Sequence, residues 1–189
     1  MTFHVHDNLY LAGKLAVDKL IVDKSTLSIR DMVSEDLVPV LTIERNVHIS
    51  PWSRLSFEES LTMQECGEEP SGNKKYICRV IESGDVIVGY LVVCPIADEL
   101  HILNIATASQ YQGLGVGHLL MEEIIRLSVV SQHHKIFLEV RASNEIAQNL
   151  YLKWQFEQIS IRKRYYSMPN SKNTNDREDA FIFMRHLKG

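Results

Sequence analysis

The feature that most restricts the fold of this 189-residue chain is a glycine-rich junction between a predicted strand and a predicted helix. Gly113, Gly115 and Gly117 occupy every second position in the segment QYQGLGVGHLLMEE, directly before an amphipathic run. Glycine is favoured where a backbone adopts a positive φ angle or closely approaches another group. A helix N-terminus also presents unpaired N–H groups and a partial positive charge. Such a junction is typical of an anion site, most simply for phosphate.

The glycine spacing matches neither of two common phosphate loops. The Rossmann fingerprint requires G-x-G-x-x-G, and the third glycine here falls one position early. A Walker loop requires a lysine where this chain has His118. On the loop residues alone, a tight turn without a ligand and an anion site are equally good interpretations.

Composition and charge indicate an ordinary folded domain. Hydrophobic residues make up 45% of the chain and charged residues 23%, as in globular proteins of this size. The net charge of −4 and the pI near 6.1 provide no general attraction to nucleic acid or to an anionic membrane. Lys14, Asp18 and Lys19 interrupt the first apolar stretch, so neither a signal peptide nor a membrane span is predicted.

The cysteines and histidines show no spacing typical of a disulfide framework or a metal site. The 3 cysteines lack Cys-x-x-Cys spacing, which predicts a reducing, cytoplasmic setting. Cys78 and Cys94 lie in apolar runs, where a free cysteine is usually a small buried hydrophobe. His133 and His134 are adjacent rather than one helical turn apart, and H-E-x-x-H is absent, so no metal is predicted.

The order of predicted elements indicates one mixed α/β domain over residues 27–189, preceded by an extension over residues 1–26 with a short helix near residues 11–20. Antiparallel strands dominate the first half, with a hairpin turn at residues 83–85, and strands alternate with helices in the second half. A mostly antiparallel, twisted sheet with helices on both faces is predicted. The predicted helices cover residues 34–47, 53–63, 115–130 and 143–154, and the predicted strands cover residues 27–33, 74–83, 86–96, 99–108, 135–142, 156–166 and 179–187.

Four segments, in the same order, resemble one enzyme superfamily. LNIATASQYQGLGVGHLLMEEII resembles the acetyl-CoA site of the GCN5-related N-acetyltransferase superfamily, whose loop Gln/Arg-x-x-Gly-x-Gly/Ala is matched by Gln110, Gly113 and Gly115. LEVRASNEIAQNLYLKWQF, IRKRYY and DREDAFIFM resemble segments of the ribosomal-protein alanine N-acetyltransferases, the RimI type. The resemblance covers residues 27–187.

The resemblance implies the fold of that superfamily and acetyl-CoA as cosubstrate, with no metal. Two strands would splay apart to hold acetyl-CoA between them. Backbone groups of residues 105–107 would pair with the pantetheine arm, one N–H would face the thioester oxygen, and the glycine loop would bind the pyrophosphate. The implied acetyl-CoA-binding residues are Ile105, Ala106, Thr107, Gln110, Tyr111, Gln112, Gly113, Leu114, Gly115, Val116, Gly117 and Asn144.

The resemblance also assigns two catalytic residues. Acyl transfer from a thioester to an amine needs an uncharged nitrogen, a stabilised oxyanion and a proton for the departing thiolate. Glu139 would be the general base, and the Tyr151 hydroxyl would protonate the coenzyme A sulfur. Without the resemblance, Glu139 is more simply a solvent-facing strand residue, Tyr151 a core tyrosine and Asn144 a helix cap.

The implied acceptor is the N-terminal alanine of a small-subunit ribosomal protein, number eighteen, acetylated by direct attack. An α-amino group with a pKa of about 7.7–8.0 is roughly a tenth neutral at pH 7, whereas a lysine is neutral about four parts in ten thousand. A single glutamate base therefore suits a peptide N-terminus better. Trp52, Tyr165 and Tyr166 are candidate walls for the peptide, and are equally well explained as edge or core aromatics. The alternatives are acetylation of a lysine or small amine, and a non-catalytic module that binds coenzyme A.

Two positions depart from the family pattern. The family has Gly-Phe after the tyrosine helix, and this chain has Gln155-Phe156. Because glycine there serves as a left-handed helix terminator, Gln155 must either adopt a strained conformation or end the helix differently. The loop at residues 167–176 is also longer than expected and lies near the predicted peptide entrance, where it would affect substrate choice.

Overall fold

One sheet of seven strands organises the residues that the computed structural model describes, 26–65, 76–168 and 176–187. The strands are β1 (Leu27–Asp31), β2 (Ile77–Ser83), β3 (Val86–Ile96), β4 (Glu99–Thr107), β5 (Lys135–Arg141), β6 (Glu157–Ser167) and β7 (Arg177–His186). Their order across the sheet is β1-β2-β3-β4-β5-β7-β6. Neighbouring strands are antiparallel except β4 and β5, which are parallel. The predicted mostly antiparallel sheet is confirmed.

Helices cover both faces of this sheet, as predicted. Within the described residues they are α1 (Leu37–Val47), α2 (Arg54–Glu65), α3 (Val116–Val130) and α4 (Glu145–Lys153). One buried cluster joins α1 and α2 to one face of the sheet, through residues such as Val40, Phe57 and Tyr90. A second cluster, which includes Leu120 and Tyr151, joins α3 and α4 to the other face. Because both faces are covered, β3 is buried along most of its length.

The element boundaries differ from the prediction chiefly at the first helix. The helix predicted from residue 34 begins at Leu37, because Ser34–Asp36 forms a 3-10 turn. The Asp36 carboxylate stabilises this turn, since it accepts hydrogen bonds from the Val33 N–H at 2.9 Å and from the Arg30 guanidinium. The predicted helix near residues 11–20 and the interior of the 167–176 loop lie outside the described residues.

The parallel pair β4 and β5 separates halfway along its length. Hydrogen-bonded pairing runs only from Glu99↔Lys135 to Ile102↔Leu138. At the same point β4 contains a β-bulge, because its register with β3 passes from Ile102 to Asn104 and leaves Leu103 as an extra residue. A bulge bends its strand and increases the local twist. This bend accounts for the splay, which leaves a slot between residues 103–107 of β4 and the end of β5.

No helix in the described parts of the chain combines the length and the apolar character that crossing a membrane requires.

Candidate active site

The glycine loop adopts the backbone conformation that its sequence predicts. Gly113 and Gly115 have φ angles of 75° and 95°, in the left-handed region that favours glycine. Gly115 is the N-cap of α3, and its end of the helix has no side-chain cap. Among the described residues, no acceptor pairs with the N–H groups of Gly113, Gly115 or Gly117. These free donors at a helix N-terminus fit a phosphate-containing group.

A cavity of about 750 Å³ lies between this loop, the splayed end of β4 and α4. Nine of the predicted acetyl-CoA-binding residues line it: Ile105, Ala106, Thr107, Gln112, Gly113, Leu114, Gly115, Gly117 and Asn144. Three others do not line it: Gln110 is exposed in the 3-10 turn Ser109–Tyr111, Tyr111 packs against both hydrophobic clusters, and Val116 is buried in the core. His118 and Lys153, which were not predicted as site residues, also line the cavity.

A second, smaller cavity of about 170 Å³ adjoins the first. It is lined by both predicted catalytic residues, Glu139 and Tyr151. The residues that line both cavities, and so mark their junction, are His48, Ile105, Asn144, Ala147 and Tyr151. The junction lies at the splay between β4 and β5, where side chains from both faces of the sheet line one space.

Tyr151 is buried in the core and also lines both cavities, so the core interpretation and the site interpretation hold together. Its ring centroid lies 5.9 Å from that of Phe156 and 6.2 Å from that of Phe183. Burial raises the pKa of Tyr151 above its usual value of 10.0, and the nearby Tyr166 adds to this effect. The phenol is therefore a protonated group at neutral pH, as a proton donor must be.

Helix α4, which carries Tyr151, ends in a Schellman motif. Gln155 has a φ angle of 61°, so this chain keeps the left-handed terminator without glycine. The Phe156 N–H donates to the Tyr151 carbonyl at 3.0 Å, and the Gln155 N–H donates to the Leu152 carbonyl at 3.0 Å. Of the two predicted outcomes for Gln155, the strained conformation is the one observed.

Glu139 lies on β5 between two buried apolar residues, Leu138 and Val140. Successive strand residues point to opposite faces of the sheet. The Glu139 side chain therefore lies on the face opposite the core in which Leu138 and Val140 pack. It reaches the smaller cavity rather than bulk solvent alone, and its Oε1 atom lies 2.8 Å from a guanidinium nitrogen of Arg162. One carboxylate oxygen is thus engaged by a cation.

Two of the three predicted peptide-wall aromatics line the smaller cavity, namely Trp52 and Tyr166. The Arg141 guanidinium lies 4.4 Å from the centre of the Tyr166 ring. Burial, and next the Glu139 carboxylate, raise the pKa of Tyr166 to about 12. Tyr165 does not line the cavity: it is 42% exposed and contacts Tyr166 edge-on at 5.0 Å between centroids.

Asn144 has the capping role that its position predicts. Its side-chain oxygen accepts a hydrogen bond from the Ala147 N–H at 3.1 Å, at the start of α4. Because Asn144 also lines both cavities, capping does not conflict with a role in ligand binding.

A buried polar cluster centred on Glu44 of α1 was not predicted from the sequence. Glu44 is fully buried, and its carboxylate accepts hydrogen bonds from the Trp52 N–H at 2.6 Å, the Asn104 amide at 3.3 Å and the Tyr90 hydroxyl. His48 follows one turn later, with its Nε2 atom 3.4 Å from Glu44 Oε2. The available signal was an acidic residue at helical spacing within the apolar face of α1.

No group of three or more His, Cys, Asp or Glu side chains is arranged for a metal ion within the described chain. Cys78 and Cys94 are buried, as predicted for small hydrophobes, and Cys66 lies outside the described residues.

Comparison with known families decides the identity of the fold. The sequence model of the Acetyltransferase (GNAT) family matches residues 37–156, from the start of α1 to the residue after the left-handed Gln155. The chain belongs to the acetyltransferase (GNAT) family. The predicted superfamily is therefore confirmed, and with it the class of enzyme, an acetyltransferase.

Individual relatives agree with this membership. The ribosomal protein bS18-alanine N-acetyltransferase of Haemophilus ducreyi is 31% identical over 159 residues, which cover 84% of this chain and 99% of the relative. The crystal structure of the ribosomal-protein-S18-alanine N-acetyltransferase from Escherichia coli is similar at 27% identity with a TM-score of 0.71, over 86% of this chain and 96% of that chain. NAA60 of Arabidopsis thaliana, solved in complex with acetyl-CoA, shares the fold at 14% identity with a TM-score of 0.71, over 87% of this chain and 100% of that chain.

Proposed function

We propose that this acetyltransferase transfers the acetyl group of acetyl-CoA to the α-amine of an N-terminal alanine, with ribosomal protein bS18 as the leading substrate. The single observation that carries the proposal is the junction of the two cavities at Tyr151, with Glu139 lining the smaller one. The names of the relatives from Haemophilus ducreyi and Escherichia coli support the choice of acceptor.

The larger cavity has the groups that acetyl-CoA requires. The free N–H groups of Gly113, Gly115 and Gly117 would hold the pyrophosphate. On the side of β4 that faces the slot, the backbone of residues 105–107 has no pairing with β5 and would bind the pantetheine arm as a strand would. When bound there, acetyl-CoA supplies an activated acetyl thioester.

The proposed roles of the two catalytic residues follow from their surroundings. Glu139 is the general base that accepts a proton from the acceptor nitrogen, since this residue lines the smaller cavity. Tyr151 donates its phenolic proton to the sulfur that departs, since it is protonated and lines the junction. The amine attacks the thioester carbon directly, without a covalent enzyme intermediate.

The smaller cavity has room for an N-terminal alanine. Its volume is about 170 Å³. An alanine methyl group and its amine fit this volume. Trp52 and Tyr166 would contact the peptide as it enters.

Radiolabel transfer from acetyl-CoA tests the acceptor. A peptide that begins Ala-Arg and lacks lysine should be labelled, and a peptide with a blocked N-terminus and an internal lysine should not. Label on the lysine peptide alone would reject the proposed acceptor in favour of a lysine. Mass spectrometry of ribosomal proteins from cells with and without this protein then tests bS18 itself.

A further inference from the structure

Glu44, which is buried, and His48, which is half-buried, lie on α1 and line the same cavity as Glu139. Glu44 uses both carboxylate oxygens: Oε1 accepts from the Trp52 N–H and the Asn104 amide, and Oε2 accepts from the Tyr90 hydroxyl. These three donors come from a loop and two strands. Glu44 is therefore held in one orientation, with its remaining acceptor direction at Oε2.

His48 lies at that remaining direction. Its Nε2 atom is buried, lies 3.4 Å from Glu44 Oε2 and has no hydrogen-bond partner among the described residues. A proton on Nε2 faces a carboxylate oxygen, so the neutral tautomer has its lone pair on Nδ1. His48 lines both cavities, at the junction shared with Tyr151. A base oriented by a buried carboxylate is the arrangement that activates nucleophiles in other enzymes.

The proton balance of the reaction leaves a task for such a base. An α-amine with a pKa of about 7.7–8.0 arrives mostly as an ammonium ion at pH 7. The nitrogen must lose one proton before its lone pair forms the N–C bond, and a second proton after attack. The C–S bond then breaks, its electron pair goes to sulfur, and sulfur takes one proton from Tyr151. One proton therefore returns to Tyr151 and one leaves to solvent.

We propose that His48, oriented by Glu44, removes the first proton from the acceptor ammonium ion, and that Glu139 removes the second after attack. The assignment rests on the proposed function. Imidazole is a stronger base than a carboxylate, and the Glu139 carboxylate is already engaged by Arg162 at 2.8 Å. Glu139 suffices for the second proton, because the nitrogen is far more acidic once it has attacked the thioester. His48 is a catalytic residue, and Glu44 is a positioning residue.

The test is the pH dependence of kcat/KM for His48→Gln with the Ala-Arg peptide. Without His48, only the neutral fraction of the peptide reacts. This fraction is about 3–6% at pH 6.5 and above about 90% at pH 9. The variant should therefore be up to about 20-fold slower than wild type at pH 6.5, the limit in which wild type uses the ammonium form as readily as the neutral amine, and within about twofold at pH 9. The titratable and charged side chains that line the two cavities around His48 are Glu44, His118, Glu139, Arg141, Tyr151, Lys153 and Tyr166, and the variant leaves all of them in place.

His101→Gln is the matched control. His101 also pairs with a glutamate, Glu99, at 3.0 Å, and it lines neither cavity. This control should match wild type at both pH values. Glu44→Gln should reproduce the pH-dependent loss of His48→Gln in kcat with little change in KM, whereas a purely structural role would lower activity equally at all pH values.

Activity at pH 9 shows that each variant is folded, so the comparison contains its own folding control. A loss for His48→Gln that is the same at pH 6.5 and pH 9, or no loss at pH 6.5, would overturn the assignment of His48. If wild type acetylates only the lysine peptide, the proposed acceptor is wrong. The pH series is then measured with the lysine peptide, and the loss of kcat/KM in His48→Gln should persist up to about pH 10 if His48 has the proposed role.

Discussion

Replacement of Gln155 by glycine should stabilise the protein. Gln155 has a φ angle of 61°, and a left-handed conformation costs an L-residue roughly 1–2 kcal/mol. Glycine removes this cost but adds conformational entropy to the unfolded chain, worth about 0.4–1 kcal/mol. The net expectation for Gln155→Gly is a gain of about 0.5–1 kcal/mol in the free energy of unfolding. For a chain of this length the melting temperature should rise by about 1–4 °C.

Two matched variants separate backbone strain from other effects. Gln132 has a φ angle of 58° and ends α3 with the same Schellman hydrogen bonds, from His133 N–H to Ser128 O and from Gln132 N–H to Val129 O. Gln132→Gly should therefore give a similar gain. Gln155→Ala keeps the Cβ atom that causes the strain, so it should give none.

Urea unfolding monitored by circular dichroism measures all three variants, and acetyl transfer measures the site. Gln155→Gly should retain wild-type kcat, because the hydrogen bond from the Phe156 N–H to the Tyr151 carbonyl does not depend on the replaced side chain. A loss of stability in Gln155→Gly together with a gain in Gln132→Gly would refute the argument from backbone strain at α4.

Three further predictions concern the chemistry, the core and a charge pair. Tyr151→Phe should lower kcat by about 10²–10⁴-fold while calorimetry finds acetyl-CoA affinity nearly unchanged. Gly89→Ala should destabilise the fold to urea by about 1–3 kcal/mol, because a Cβ there lies 3.1 Å from the Ala106 carbonyl oxygen. Burial raises the pKa of Asp36, but the Arg30 hydrogen bond and other contacts outweigh it and lower the pKa below 3.8. Ionised Asp36 therefore stabilises the fold above pH 3.8, and this contribution to the free energy of unfolding is lost as pH falls through the lowered pKa. Asp36→Asn should flatten the dependence of urea unfolding on acidic pH.

The sequence predicted the elements of the fold well because their signals are local. Alternation in β5 and the helical spacing in α3 depend on neighbours within one segment. The glycine loop was likewise readable, since Gly113 and Gly115 have the positive φ angles that glycine spacing predicts. The predicted start of α1, residue 34, is three residues too early. Residues Ser34–Asp36 form a 3-10 turn, stabilised by the hydrogen bond from the Val33 N–H to the Asp36 carboxylate, and the sequence pattern does not distinguish such a turn from the first turn of an α-helix.

The candidate site was only partly predictable because it depends on contacts between distant segments. Glu44 is 60 residues from Asn104 in the chain, and their hydrogen bond exists only once α1 packs on the sheet. Tyr166 was singled out beside Tyr165, and nothing in the pair RKRYY distinguishes which ring lines the cavity. The structure makes that distinction through the position of Tyr166 on β6, next to Arg141.

The bulge at Leu103 interrupts the simple alternation of inward and outward side chains along β4, at the point where the strand reaches the site. Leu100 and Ile102 pack in the cluster beneath α3, and simple alternation would place Asn104 and Ala106 there as well. One extra residue reverses the facing of everything after it. Ala106 accordingly packs in the cluster of α1, and Asn104 donates to Glu44. The extra residue, Leu103, thus lies where β4 stops pairing with β5, and the unpaired β4 backbone faces the larger cavity. It also turns the Asn104 side chain toward the Glu44 carboxylate, which orients His48. The slot and the buried polar cluster are therefore two consequences of one local irregularity.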